Sequence, residues 1–166
     1  MNLFLLDASA LAKRYVPEIG TDRLLHLFQH AVRQRLYCLL LTAAEVVSVL
    51  VRQRNGGRLS VATFRQGMLH LHTEVVQQSA VTALSLENTL IETALPLINT
   101  HSINSNDAVV LQTALNLTAD CRAKGDDLIL VVSDQRLLRA AIQEGLVTFN
   151  PETQDIAALK LLLAVP

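Results

Sequence analysis

The sequence is poor in aromatic residues: it has no tryptophan, and phenylalanine and tyrosine together make up 4% of it. Proteins that hold single-stranded nucleic acid often stack its bases on aromatic rings, and a chain with so few rings does not suggest that mode of binding. Cysteine is scarce as well, because Cys38 and Cys121 are the only two and form no Cys-x-x-Cys pair. The sequence therefore predicts neither a disulfide framework nor a thiolate metal site, and its cysteine usage is typical of a reducing cytosol.

An excess of charge and a long hydrophobic run are also missing. The net charge is -1 and the pI is near 6.5, which excludes a basic field over the whole molecule but not a local basic patch. Residues 1–6 form too short an apolar run for a signal peptide. The longest apolar stretch, residues 36–51, contains Glu45 and falls short of the roughly 20 residues that span a bilayer. We therefore expect a cytoplasmic protein with no membrane association.

Apolar runs alternate along the chain with segments of helical periodicity. Strands are predicted at residues 2–6, 36–41, 81–84, 127–132 and 146–149. Strands that are apolar throughout suit a sheet covered on both faces, so we predict an α/β fold with three α/β/α layers and a central, mostly parallel sheet of four to five strands. A chain of 166 residues is expected to form one domain. We assign residues 1–150 to that domain and residues 151–166 to a C-terminal helical extension packed on it.

Four acidic residues differ from the others, most of which sit among polar neighbours on amphipathic helices. Asp7 directly follows the first predicted strand, and Asp134 follows the fourth. Glu45 is in the first turn of a helix predicted to begin at Thr42, and Asp107 is at the start of the helix that leads into the fourth strand. In right-handed crossovers each helix starts at the carboxyl edge of the sheet, where open α/β sheets bind ligands. We therefore expect all four side chains to meet at that edge.

Each acid also has a structural explanation. Asp7 and Asp134 can cap helices, a role worth about 1 kcal/mol. Glu45 can complete a capping box with Thr42, and Asp107 can interact with a helix dipole for roughly 0.3–1 kcal/mol. None of these roles requires the four acids to converge, and unit charges about 4 Å apart repel by about 4 kcal/mol at an effective dielectric near 20. A divalent cation would remove that cost, and oxygen ligands without histidine or cysteine favour Mg²⁺ or Mn²⁺.

Two serines and three histidines are weaker candidates. Ser9 and Ser133 lie beside or near these acids and could orient a carboxylate or a metal-bound water, or serve only as local cap or turn hydroxyls. His26 and His30 have a spacing that can bind zinc, but no third ligand is evident, so exposed helix positions are favoured. His101 lies six residues before Asp107 and is interpreted as a loop histidine rather than a site residue.

Four segments, FLLDASAL, TAAEVVSVL, NSNDAVVLQTAL and LVVSDQRLLRAA, occur in an order and spacing that resembles the PIN-domain ribonucleases, and most of all the VapC-type toxins of prokaryotic toxin–antitoxin pairs. The resemblance covers residues 2–149. It implies a Mg²⁺- or Mn²⁺-dependent endoribonuclease on a compact PIN-like α/β/α fold, which is usually a homodimer and binds a small antitoxin protein. The alternative is a catalytically silent PIN-like module that binds RNA or a protein partner.

The resemblance also assigns site positions. The family's metal-binding and catalytic acids correspond here to Asp7, Glu45, Asp107 and Asp134. The family's serine two residues after the first acid corresponds to Ser9, and its final Ser-Asp element corresponds to Ser133 with Asp134. We expect Asp7, Asp107 and Asp134 to hold a metal ion, and Glu45 to hold a second ion or accept a proton.

Because RNA and the predicted acidic site are both negatively charged, we expect positively charged side chains beside the site to bind the substrate. Residues 33–65 contain six arginines and a single acid, Glu45. The following five residues are predicted to bind RNA phosphates: Lys13, Arg14, Arg52, Arg54 and Arg58. Such contacts would make binding salt-dependent. A solvated helix face or a contact with the antitoxin explains the same charges.

Overall fold

A five-stranded sheet runs through the centre of the computed structural model, which describes residues 1–164. The strands are β1 (Leu3–Leu6), β2 (Leu36–Leu39), β3 (Thr82–Leu84), β4 (Leu128–Val131) and β5 (Val147–Phe149). Their order across the sheet is β3-β2-β1-β4-β5, and all four pairings are parallel. The predicted α/β class with a parallel sheet is therefore confirmed, with five strands.

Helices cover both faces of the sheet. They are α1 (Ala8–Leu11), α2 (Thr21–His30), α3 (Leu40–Asn55), α4 (Val61–Leu71), α5 (Asn88–His101), α6 (Ser105–Arg122), α7 (Gln135–Gln143) and α8 (Ile156–Leu163). Phe4 and Leu6 of β1 pack with α1–α4 and α8, whereas Leu5 packs with α5–α7. Successive strand residues thus enter two separate cores, which is why β1 and β4 are apolar at every position. Within residues 1–164, no helix has both the length and the apolar character needed to cross a bilayer.

The start of α3 differs from the prediction. β2 ends at Leu39, which is extended, and α3 begins at Leu40, two residues before Thr42. The Thr42 hydroxyl is buried and has no hydrogen-bond partner among residues 1–164, and Glu45 lies in the second turn rather than the first. The capping box predicted for Thr42 and Glu45 is therefore wrong, because an apolar run continuous across strand and helix does not mark the boundary between them.

The C-terminal segment packs against the beginning of the chain. Leu159 of α8 is fully buried in the core that also contains α2. The buried Arg35 side chain donates from Nε to the Asn2 carbonyl at 2.8 Å and from Nη1 to the Leu163 carbonyl at 3.1 Å. These bonds join α8 to the start of β1. The last two residues of the predicted extension, 165 and 166, lie outside the described residues.

Candidate active site at the carboxyl edge of the sheet

The four predicted acids line one cleft of about 440 Å³. Asp7 and Asp134 follow β1 and β4, which are neighbours at the centre of the sheet. Glu45 reaches the cleft from α3, and Asp107 reaches it from the first turn of α6. The cleft is also lined by Ala8, Ser9, Ser48, Val49, Arg52 and Asn106. The topology therefore brings all four carboxylates to the edge at which ligands bind in open α/β sheets.

The Ser9 hydroxyl joins the ends of the two central strands. Its Oγ donates to Asp7 Oδ2 at 2.5 Å and accepts from the backbone N–H groups of Ser133 and Asp134, at 2.9 and 3.0 Å. The Ser9 backbone N–H also donates to Asp7 Oδ2, at 2.9 Å. Asp7 caps α1 through this bond, as predicted, and a single hydroxyl fixes it relative to Asp134.

Each of the four carboxylates is held through one oxygen. Asp7 uses Oδ2, and Asp134 uses Oδ1, which accepts from the N–H groups of Arg136 and Leu137 as the predicted N-cap of α7. The Asn106 side-chain amide donates to Glu45 Oε1 at 2.8 Å. The Asn104 side-chain amide donates a hydrogen bond to Asp107 Oδ2. Within residues 1–164, no side chain donates a hydrogen bond to the second oxygen of any of the four acids, so each carboxylate keeps one oxygen that a ligand can approach.

Asn104 and Asn106 are the site residues that sequence reasoning did not identify. Asn104 caps α6, since its Oδ1 accepts from the Asp107 N–H at 2.8 Å. Its Nδ2 then donates to the Asp107 carboxylate, also at 2.8 Å. Asn106 links α6 to Glu45 on α3 across the cleft. The sequence does contain a hint, because two asparagines lie within three residues of Asp107 in the segment NSND. The group to which each side-chain amide donates is evident only from the folded structure.

Burial and mutual repulsion raise the pKa of three of the acids. Burial, together with the charges of Asp7 and Asp134, raises the pKa of Asp107 from 3.8 to about 6. Burial is also the main cause of the raised pKa of Asp7, which the Ser9 hydrogen bonds oppose. The pKa of Glu45 is raised by burial and, more weakly, by Asp7, against the bond from Asn106. The negative charges of these acids therefore repel one another, and a bound cation would relieve that repulsion.

The donor set fits a hard divalent cation. Every acidic group of the cleft offers a carboxylate oxygen, and neither histidine nor cysteine lines it, which matches Mg²⁺ or Mn²⁺. In residues 1–164, however, no three acidic, histidine or cysteine side chains are close enough together to ligate one ion directly. Magnesium commonly keeps several of its waters, so the wider spacing of these oxygens suits an ion bound partly through water.

Three predicted roles are corrected by the structure. The Ser133 hydroxyl is buried and has no hydrogen-bond partner in residues 1–164, so Ser133 serves the site through its backbone N–H and not through its side chain. Lys13 is only 3% exposed and forms ion pairs with Glu18 and Glu152. Its charge is therefore committed to these two carboxylates, which does not favour the predicted contact with RNA.

Arg14 is the third correction. Its guanidinium forms two hydrogen bonds with Glu74, at 2.7 and 3.2 Å, and lies 5.0 Å from the centre of the Phe28 ring. The sequence places Lys13 and Arg14 close to Asp7 but does not show which way a side chain leaves its helix. Both side chains are held by acidic partners within the fold.

The three remaining cations lie at the end of α3 and in the turn that follows. Arg52 lines the acidic cleft. Arg54 is exposed, 4.5 Å from the centre of the Phe64 ring, and Arg58 is exposed and bonded to Gln53. Contact between RNA and these arginines stays a prediction, with Arg52 the best placed because it shares the cleft with the acids.

The histidines lie outside the cleft. His26 and His30 stack on α2 with ring centroids 3.9 Å apart, and in residues 1–164 no third ligand joins them. His101 is the last residue of α5, not a loop residue, and is buried. Its ring bonds Gln143 and Glu144 at the end of α7, at 3.1 and 2.7 Å, so it ties two helices together.

Comparison with known proteins shows the family to which the chain is matched and two solved structures that share its fold. Residues 4–143 match the family model described as PIN domain. The crystal structure of PAE2754 from Pyrobaculum aerophilum superposes with a TM-score of 0.64 over 100% of both chains, at 21% identity. The structure of FitAB bound to an IR36 DNA fragment gives a TM-score of 0.62 over 92% of this chain and 98% of that one, at 14% identity. At such identities these two likenesses show the fold alone. None of the curated proteins matches the chain.

Proposed function

We propose that this chain, which belongs to the PIN domain family, is a metal-dependent endoribonuclease that hydrolyses RNA phosphodiester bonds. PIN domains are generally nucleases, and the family match includes all four acids of the cleft. The observation that carries the proposal is the hydrogen bonding of these acids. The protein fixes one oxygen of each carboxylate and leaves the other for a ligand.

Each residue of the cleft would have a distinct role in this reaction. Asp7, Asp107 and Asp134 would hold a Mg²⁺ or Mn²⁺ ion, with Ser9 fixing the first relative to the third. When bound, such an ion polarises a phosphate oxygen and lowers the pKa of a ligated water. Glu45 would hold a second ion or accept a proton from water, and either role uses the oxygen that Asn106 leaves unbonded. Arg52 would bind a phosphate of the substrate at the rim.

The test is cleavage of a labelled RNA by the purified protein. We expect cleavage with Mg²⁺ or Mn²⁺, none after addition of a chelator, and none by the Asp107→Asn variant. Asp120→Asn is the matched control, because it removes the same charge from an exposed position on the same helix. Cleavage that persists in chelator, or in Asp107→Asn, would contradict the proposed chemistry.

The biological role that we propose is that of a VapC-type toxin, active as a homodimer in the cytoplasm and neutralised by a small antitoxin protein. The support is the ordered set of four motifs that resembles that group. Production of the chain without a partner should arrest growth, and Asp107→Asn should relieve the arrest. Harmless overproduction of a chain that cleaves RNA in vitro would remove the toxin role and leave the nuclease intact.

A second candidate is a PIN-like module that binds RNA or a protein without cutting. The observation that favours it is the spacing of the acids, since no three potential ligands in residues 1–164 are within direct reach of one ion. Such a module would bind RNA with Mg²⁺ or Mn²⁺ present and leave it uncut. Magnesium-dependent cleavage that Asp107→Asn abolishes rules this candidate out.

A further inference from the structure

Helix α7 has an arginine in its first turn, where the helix dipole disfavours positive charge, and none in its last turn. Arg136 is in its first turn and Arg139 is one turn later, and both are exposed. The last turn contains no cation, whereas α3, α6 and α8 all carry lysine or arginine in their last turns. A cation near a helix N-terminus is disfavoured by roughly 0.3–1 kcal/mol, and like charges three residues apart cost a few tenths more.

Beyond its cap residue Asp134, helix α7 itself offers these two arginines no acidic side chain. Asp and Glu are absent between Asp134 and Glu144, and Glu144 is bonded to His101. Within residues 1–164, neither Arg136 nor Arg139 forms an ion pair. By contrast, Arg23 in the first turn of α2 is paired with Asp22 at 2.7 Å. Charges that break local rules without compensation are expected where a binding function retains them.

The position of α7 ties these charges to the cleft. The N–H of Arg136 donates to the Asp134 carboxylate at 2.8 Å, so the arginine begins directly beside one of the four acids. Further along the exposed face is a shallow hollow of about 250 Å³. Leu138, Arg139 and Ile142 line it with Gln135 and Gln143, and Ile142 is 58% exposed. Arg139 therefore lies beside an apolar surface, on the helix that begins at the cleft.

We propose that the exposed face of α7 is a second RNA subsite, which takes the nucleotides adjoining the cleavage position on the Asp134 side. The inference rests on the proposed nuclease function. Arg136 and Arg139 bind phosphates of the strand, since a guanidinium donates in the planar pattern that phosphate oxygens accept. The hollow over Leu138 and Ile142 holds a base, against which the Arg139 guanidinium can stack. This would supply base contact in a chain with few aromatic rings.

The experiment compares RNA binding by the wild type with that of a double variant, Arg136→Gln with Arg139→Gln. Binding of a short fluorescein-labelled single-stranded RNA is followed by anisotropy across a range of KCl concentrations, with Ca²⁺ in place of Mg²⁺. Removal of two phosphate contacts should make the slope of log K against log[KCl] about 1.4 less negative. The melting temperature should stay equal or rise, because the variant removes charges that oppose the helix dipole.

The matched control is Arg33→Gln, an exposed arginine just before β2, at the opposite edge of the sheet. It should keep the wild-type slope. A double variant that keeps the wild-type slope overturns the subsite, as does a wild type that binds no RNA. Cleavage is measured separately with Mg²⁺. A wild type that binds RNA but does not cut it refutes the nuclease proposal, and the change in slope alone then decides the subsite.

Discussion

Asp107→Asn should make the metal-free protein more stable while it abolishes cleavage. Burial and the charges of Asp7 and Asp134 raise the pKa of Asp107 from 3.8 to about 6. At 1.36 kcal/mol for each pH unit this corresponds to about 3 kcal/mol, which partial solvent exposure reduces to about 1–2 kcal/mol. Asparagine keeps a carbonyl that can accept from Asn104 and removes the charge. For a domain of this size we expect the melting temperature to rise by about 3–6 °C.

The gain should depend on pH in a defined direction. Because the folded pKa lies above the ordinary value, the stability linked to this group is complete below about pH 4 and is lost as the pH rises through about 6. Asp107→Asn should therefore match the wild type near pH 4 and exceed it above about pH 7. Added Mg²⁺ should stabilise the wild type and have little effect on the variant.

The assay is urea unfolding in chelator at low and neutral pH, with Asp120→Asn as the control that should change stability by no more than about 0.5 kcal/mol. The reasoning is refuted if Asp107→Asn lowers stability at neutral pH by about 1 kcal/mol or more, which is the loss typical of a helix-stabilising group. An equal gain at both pH values would refute the electrostatic origin.

Two further substitutions test the hydrogen bonds of the cleft. Ser9→Ala should destabilise the protein by about 3 kcal/mol in urea unfolding, because two backbone N–H groups lose their acceptor and the buried Asp7 carboxylate loses its hydroxyl donor. Ser133→Ala should change stability little, because the Ser133 hydroxyl has no partner within residues 1–164, and equal losses in the two variants would contradict the role of Ser9. Asn106→Ala should weaken Mn²⁺ binding in calorimetry by releasing Glu45, while unfolding stability changes by less than about 1 kcal/mol; unchanged Mn²⁺ affinity would show that the bond does not position Glu45.

The layout of the sheet was predictable because its signal is local. β1 and β4 are uninterrupted apolar runs that match strands buried on both faces. Asp7 follows β1 at once, and Asp134 comes three residues after the end of β4. Crossover handedness then places Asp7 and Asp134 at one edge. The boundary between β2 and α3 was not predictable, since Leu39, Leu40 and Leu41 are equally apolar and only tertiary packing decides where the strand ends.

The hydrogen-bond and ion-pair partners of side chains were harder to predict than the positions of the residues in the fold. Lys13 follows Asp7 in the chain but points to Glu152, which is 139 residues away. Asn106 binds Glu45 across 61 residues. Both pairs depend on where the tertiary fold aims a side chain, and neither leaves a periodic pattern in the sequence. Local capping, by contrast, could be predicted for Asp134, because the acceptor and its donors lie only two and three residues apart.

The saturation of the Ser9 hydroxyl limits the chemistry that the cleft can perform. A serine hydroxyl has one proton and two lone pairs, and here the proton goes to Asp7 while backbone amides occupy both lone pairs. Ser9 therefore has no free electron pair with which to act as a nucleophile on phosphorus. In the proposed cleavage of RNA, the attacking group is therefore expected to be something other than the Ser9 hydroxyl, and no phosphoserine is expected at this position.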